Sequence, residues 1–335
     1  MSERLQGFDA AGHLLNSDGV VKDSAQIEAK RSLLSPEDFA RYISYPNGYP
    51  QTMLEVGVAR GGTTAMSQVL ACSPSFDGYG EDMLRNAIAY PLNRGEDPVL
   101  IQMPGEGHHI ILKETYGPAT ESMIGHYPLK ALQLAADRNG ISKEEFRANT
   151  QLLAVTRDPL AIYNGWLKYW TIVRDVATIE EAYDEFGELS LVNLVEAYNC
   201  LTETVLNAGD DGIKKTVVIT SMFENPPQGI QEAMGSICER LGVEFSADMI
   251  MFNDPKRDQK INIHPVTIDS KYVGLHEDID NKGFRYFPPN YKYSTEVLPV
   301  LQKAGLLDQY QILHDIAEDA FGKIGRPSFT ADNSN

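Results

Sequence analysis

A chain of 335 residues with 42% hydrophobic and 23% charged side chains is long enough to bury a large core and has the balance of a globular protein. Its 29 basic and 47 acidic residues leave a net charge of −18, which disfavours nucleic acid, heparin-like polymers and anionic membrane surfaces as partners. A neutral or cationic small molecule suits such a field better.

Residues 1–50 are polar and weakly patterned, with Ser35-Pro36-Glu37-Asp38 as a helix start that carries proline in its first turn. The apolar run Met53–Val58 has strand character, and Ala65–Ala71 is a good helix former. Between them lies Ala59-Arg60-Gly61-Gly62-Thr63-Thr64. Strand, tight glycine turn and helix N-terminus together present free N–H groups and a positive dipole end to an anion. Gly61 and Gly62 let the backbone come close to a phosphate, Thr63 and Thr64 add hydroxyls, and Arg60 adds charge. The alternative is an ordinary turn between a strand and a helix.

Residues 73–104, rich in Gly, Pro, Asn and Asp, read as an insertion of the kind that forms a binding loop or lid. Its aromatics Phe76, Tyr79 and Tyr90 either line a pocket or pin the loop down. His109–Thr115, Gln151–Thr156 and Thr216–Thr220 read as buried strands, with helical patterns over about 121–138, 159–174, 189–207 and 228–241. This alternation predicts an α/β fold: one domain over residues 1–324, a mainly parallel sheet flanked by helices, and a P-loop-like core. Ligands in such sheets sit at the carboxyl ends of strands, where Arg60, Lys113, Glu114 and Arg157 all fall. Residues 325–335 are polar and expected to fray. The cysteines Cys72, Cys200 and Cys238 lack metal spacing and read as core residues in a reducing compartment. With no basic-then-apolar leader and no run near 18 apolar residues, a cytoplasmic location is expected.

Three loop chemistries compete. Gly57-x-x-x-x-Gly62-Thr63-Thr64 copies the P-loop spacing but has threonine where the NTPase lysine belongs, which argues against an ATPase or GTPase. Glu55-Val56-Gly57 also fits the acid-x-Gly start of S-adenosylmethionine-dependent methyltransferases. Third, Arg60-Gly61-Gly62-Thr63-Thr64 resembles the sulfotransferase loop that grips the 5′-phosphosulfate of 3′-phosphoadenosine 5′-phosphosulfate. Further segments follow the order of that family over about residues 50–315. Arg157-Asp158-Pro159 is similar to its 3′-phosphate element, whose serine eight residues on is replaced here by Gly165, with Asn164 beside it as a substitute donor. The strand ending at Thr220, then Asn225-Pro226, a helix and Leu241-Gly242, is similar to its next element. Lys282-Gly283-Phe284-Arg285 is similar to the segment that folds over the 3′-phosphate. Ala65 stands where the cytosolic branch has an adenine-stacking tryptophan, so kinship with that branch is distant.

The resemblance implies a sulfotransferase using 3′-phosphoadenosine 5′-phosphosulfate as co-substrate, without a metal, on a small-molecule acceptor; a homodimer is admitted. It places Arg60, Gly61, Gly62, Thr63, Thr64, Arg157, Asn164, Gly165, Thr220, Lys282, Gly283 and Arg285 around the donor. Sulfuryl transfer is an in-line displacement that needs cations for the leaving phosphate and a base for the acceptor proton. Arg60 and Lys113 are the candidate cations. Lys113-Glu114-Thr115 resembles the family's Lys-x-His element, with Thr115 in the histidine position and Glu114 as the nearest acid and candidate base. A regular strand would turn Lys113 and Glu114 to opposite faces; irregularity near its end would let both reach the donor. His108 and His109 lie at the strand's other end. Besides a methyltransferase, a nucleotide-binding module without catalysis remains as a rival, suggested by Gly165 and Ala65.

Overall fold

The computed structural model describes residues 34–93, 95–118, 127–174, 176–223, 229–251, 261–263, 284 and 292–324. The expectations for residues 1–33, for Asn225-Pro226, for Lys282, Gly283 and Arg285, and for the tail 325–335 lie outside them.

Helix α1 (Pro36–Ala40) starts as the sequence indicates, with Ser35 and Asp38 forming a reciprocal capping box. A small parallel pair, β1 (Ile43–Ser44) and β4 (Ile101–Gln102), ties this segment to the later insertion. The central sheet is built from β2 (Gln51–Val58), β3 (Gly78–Glu81), β5 (His109–Tyr116), β6 (Thr150–Thr156), β7 (Lys214–Ile219) and β8 (Ile261–Asn262). Among the described residues it runs β7-β6-β2-β5-β3-β8, every pairing parallel. The near-continuous burial of β2, β5 and β6 is what a parallel sheet covered on both faces demands.

Helix α2 (Thr63–Ala71) follows the glycine loop and packs on one face of the sheet, where Met66, Val69 and Leu70 meet Met53, Ile111, Leu153 and Val155. Helix α7 (Ile230–Leu241) shares that face through Met234 and Ile237. The other face carries α5 (Pro159–Val173), α6 (Ile179–Asp210) and α9 (Leu306–Phe321). Around this side also lie α3 (Pro128–Arg138), α4 (Lys143–Asn149) and α8 (Ser294–Lys303). The periodicity over 189–207 thus belongs to a helix of 32 residues. Cys72, Cys200 and Cys238 are buried in the core and not in disulfides.

The insertion reading of residues 73–104 needs correction in its middle. Gly78–Glu81 is an inner strand, hydrogen-bonded between β5 and β8. Glycine weakens strand propensity, so Gly78-Tyr79-Gly80 reads as loop in sequence. In the fold the bare backbone lets Ile110 come close, at 3.1 Å from where a Cβ on Gly78 would stand. Each of the three aromatics makes a contact that pins the segment. Phe76 is buried against the His109 ring at 4.3 Å, Tyr79 donates to Glu81, and Tyr90 receives the Arg85 guanidinium on its face.

Candidate active site

Strand order places the site. From β2 the chain moves one way to β3 and β5, and later the other way to β6 and β7, so the sheet's direction of growth reverses at β2. The crevice beyond the carboxyl end of such a strand is where ligands bind in open α/β sheets. The glycine loop leaves β2 at that point.

The loop is held by its neighbours. The Ala59 N–H donates to the Tyr116 carbonyl (2.7 Å) and the Ala59 carbonyl accepts from the Trp166 indole (2.8 Å). Gly57 lies so near β6 that a Cβ there would stand 2.2 Å from the Val155 oxygen. Arg60 takes a left-handed backbone with φ of 71°, at a cost of about 1–2 kcal/mol for a residue with a Cβ. Gly62, with φ of 98°, is the N-cap of α2 and offers no side chain, so the first-turn N–H groups of the helix face the mouth of the loop uncapped.

Loop, β6 and the segment after β7 meet closely. A Cβ on Gly61 would stand 3.3 Å from the Thr156 Cα, and one on Gly62 would stand 2.7 Å from the Thr220 methyl. Thr220 and the adjacent Ser221 are buried, and neither hydroxyl has a hydrogen-bond partner among the described residues. Two orphaned hydroxyls beside an uncapped helix start mark a place where a polar ligand would complete the bonding. Arg157 follows the end of β6, its carbonyl held by the Tyr198 hydroxyl. Asp158 caps α5 by accepting from the Leu160 N–H (2.8 Å), which fixes Arg157 at the strand-to-helix junction. Asn164 is buried and donates to the Leu160 carbonyl of its own helix (2.9 Å). Gly165, one residue on, lies against the stem of Arg60.

On the other flank lies an arrangement the sequence reading did not contain. Glu55 on β2, Lys113 on β5 and Glu81 on β3 are register partners, so their side chains form one row on the α2 face. Lys113 is buried; its ammonium donates to the Thr64 hydroxyl (3.0 Å) and to Glu81, and lies 3.9 Å from Asp82. Burial works against that ammonium, but Glu81 and Asp82 outweigh it and its pKa ends above the ordinary lysine value. Glu55 is fully buried with neither oxygen hydrogen-bonded among the described residues. Desolvation raises its pKa well above the usual carboxylate range, despite Lys113 nearby.

Glu114 points the other way. β5 stays regular through Tyr116, so of the two cases the sequence leaves open the regular one holds, and Lys113 and Glu114 turn to opposite faces. Glu114 is buried and accepts from the Leu84 N–H (2.8 Å), while its second oxygen has no partner among the described residues. Burial, then repulsion by Asp82, pushes its pKa up to about 8. Asp82 connects the two faces. Its backbone is left-handed (φ 45°), one oxygen accepts from the Thr115 N–H and hydroxyl (3.0 and 2.9 Å), and the other pairs with Arg85. Arg85 opens a π-helical turn, Arg85–Ala89, a local irregularity that often accompanies functional sites. His109 sits at the opposite edge of the sheet, as expected.

The site residues the sequence missed are Glu55, Glu81 and Asp82. Glu55 was seen only as part of a motif start, and Glu81 and Asp82 lay in what read as loop. A charged residue ending the short strand between Ser73 and Met83 was the available signal.

A parallel α/β sheet with a glycine loop at its reversal point, uncapped helix N-terminus and strand-end cations defines a P-loop-like core. Solved structures of similar course are sulfotransferases. One is the sulfotransferase domain from the curacin biosynthetic pathway, with 10% identity, 76% of this chain and 98% of that chain covered, and a TM-score of 0.43. Another is a mouse sulfotransferase complexed with PAP, with 13% identity, 86% and 95% covered, and a TM-score of 0.43. A sulfotransferase from Mycobacterium avium gives 10%, 83% and 79%, and 0.38. No protein-family model and no curated protein sequence matches the chain. Likenesses at this level carry no weight for function, which has to be read from the loop, the strand order and the side chains.

Proposed function

We propose that this chain is an enzyme that moves a sulfuryl group from 3′-phosphoadenosine 5′-phosphosulfate to a hydroxyl or amine of a small neutral or cationic acceptor, by in-line displacement. The observation that carries it is the strand order around the glycine loop. In the nucleoside-binding sheets of the Rossmann type, and in flavodoxin-like sheets, the second strand lies beside the first. Here β3 is separated from β2 by β5, which speaks against the methyltransferase alternative although Glu55-Val56-Gly57 fits it.

In this proposal the α2 N-terminus, Arg60, Gly61, Gly62, Thr63 and Thr64 take the 5′-phosphosulfate. Arg157, Thr220 and the α5 start take the 3′-phosphate, joined by Lys282, Gly283 and Arg285. Lys113 and Arg60 meet the charge that grows on the leaving phosphate, with Thr64 fixing the Lys113 ammonium. Glu114 is the proposed base: in this reading the acceptor meets it around the carboxyl end of β5, on the face opposite Lys113, and a pKa of about 8 with one oxygen lacking a partner among the described residues suits a base near neutral pH. One observation favours a second reading, in which Glu114 only pins the turn after β3: it accepts from the Leu84 N–H.

Calorimetry tests the donor. Adenosine 3′,5′-bisphosphate should bind without added metal and S-adenosylhomocysteine should not. Binding of the latter alone would overturn the proposal.

A further inference from the structure

Gly165 departs from the serine that the sulfotransferase pattern has at this place, and Arg60 departs from ordinary backbone geometry. The structure joins the two. A Cβ built on Gly165 would stand 3.0 Å from the Arg60 Cβ, 3.2 Å from its Cγ and 4.0 Å from its Cδ. All three nearest atoms belong to the Arg60 side chain, so the contact runs up its stem. Neither partner can retreat easily. Arg60 Cβ is fixed by a left-handed backbone between Ala59 and Gly61. Ala59 is bonded to Tyr116 and to Trp166, the residue after Gly165, and the Gly61 N–H donates to the Val58 carbonyl (2.8 Å). Trp166 is itself fully buried, which anchors α5 at the same level.

Glycine in the interior of a helix is ordinarily a liability, because alanine has the better helix propensity. Gly165 is the seventh residue of the 15-residue α5, away from both caps and not among the glycines with positive φ. Its one evident use is the space it leaves.

We propose that Gly165 is a positioning residue for Arg60: the missing side chain is a seat that holds the arginine stem and aims its guanidinium at the anion bound by the glycine loop. This deepens the function proposed above and rests on it for the ligand. A serine at 165 would then add no phosphate contact. It would unseat Arg60, so restoring the residue of the sulfotransferase pattern would weaken donor binding.

The test is a pair of double-mutant cycles, using Arg60→Gly because glycine tolerates φ of 71° and removes the Cβ that Gly165 accommodates. The first cycle needs no ligand. Gly165→Ala should lower the melting temperature of the otherwise native protein. In the Arg60→Gly background the same change should raise it, by roughly 1–3 °C, since only helix propensity is then left. A shift of the same sign and size in both backgrounds overturns the proposal. The second cycle measures adenosine 3′,5′-bisphosphate by calorimetry. Gly165→Ala and Gly165→Ser should each weaken it about tenfold in the native background and by less than twofold beside Arg60→Gly. Tighter binding by Gly165→Ser in the native background would instead make 165 a ligand position and overturn the seat. Should the unaltered protein fail to bind this nucleotide, the donor assignment falls, and the melting cycle still decides whether Gly165 seats Arg60.

Discussion

The carboxyl edge of the sheet has two unlike halves. Around β2, β6 and the end of β7 the backbone is close-packed and the polar groups are N–H donors, hydroxyls without a partner among the described residues, and the arginines 60 and 157. Around β3 and β5, together with Glu55 of β2 beside Lys113, the same edge holds four carboxyl groups, Glu55, Glu81, Asp82 and Glu114, against two cations, Lys113 and Arg85, among the described residues. One half is built to receive an anion; in the other, burial holds Glu55 and Glu114 toward their neutral forms, and Glu81 and Asp82 are matched by Lys113 and Arg85. Lys113 stands on the border, bonded to Thr64 on the first side and Glu81 on the second. On the proposed function the first half takes the donor and the second faces the acceptor. A neutral acceptor suits a half whose charges are matched internally, while the net charge of −18 is what disfavours an anionic one.

The contrast is broken most severely at Glu114. E114Q keeps an acceptor for the Leu84 N–H but cannot take a proton, so steady-state turnover should fall by roughly 10²–10⁴ while donor affinity, by calorimetry, stays within a few-fold. Near-normal turnover would leave Glu114 as a pin for the turn after β3 and nothing more.

Removing the border cation comes next. Lys113→Met leaves Glu81 without its counter-charge and Asp82 with Arg85 alone, and truncating one partner of a buried pair costs about 3–5 kcal/mol. Urea unfolding should show a loss of that order, with donor binding weakened as well. A stable variant with unchanged donor affinity would show that the two halves do not depend on each other.

Arg157→Ala sharpens the donor half. If it meets the 3′-phosphate, a charge-assisted bond worth about 1.5–3 kcal/mol disappears, or roughly 10–100-fold in affinity for adenosine 3′,5′-bisphosphate. Adenosine 5′-phosphate should be affected much less. Equal losses for both nucleotides would remove Arg157 from the 3′ position.

A further effect is in pH dependence. Glu55 and Glu114 both have folded-state pKa values raised above the unfolded value, by burial first. The folded protein therefore binds more protons than the unfolded chain as pH climbs above about 4.5, and stability falls as pH rises toward about 8. The melting temperature should decline across that window, and E114Q should flatten the decline. An unchanged slope would mean that Glu114 ionises in the fold as it does in water.

The sequence alone determined the strand–glycine loop–helix core, because that pattern is local: an apolar run, two glycines, two threonines and a helix former within about twenty residues. It also determined the parallel α/β class, since buried strands alternated with amphipathic helices, and it put Arg60 and Arg157 just past strand ends; Lys113 lies three residues before the end of β5. Tertiary structure decided the rest. The role of β3 was hidden because glycine carries no strand signal, and only the nearness of Ile110 shows why Gly78 is there. The row of Glu55, Lys113 and Glu81 exists through register between strands far apart in the chain. The separation of Lys113 from Glu114 depended on β5 staying regular to its end, which its neighbours β2 and β3 enforce. The meaning of Gly165 likewise appears only when α5 is laid against the loop: a missing side chain says nothing in a sequence until its neighbour is known.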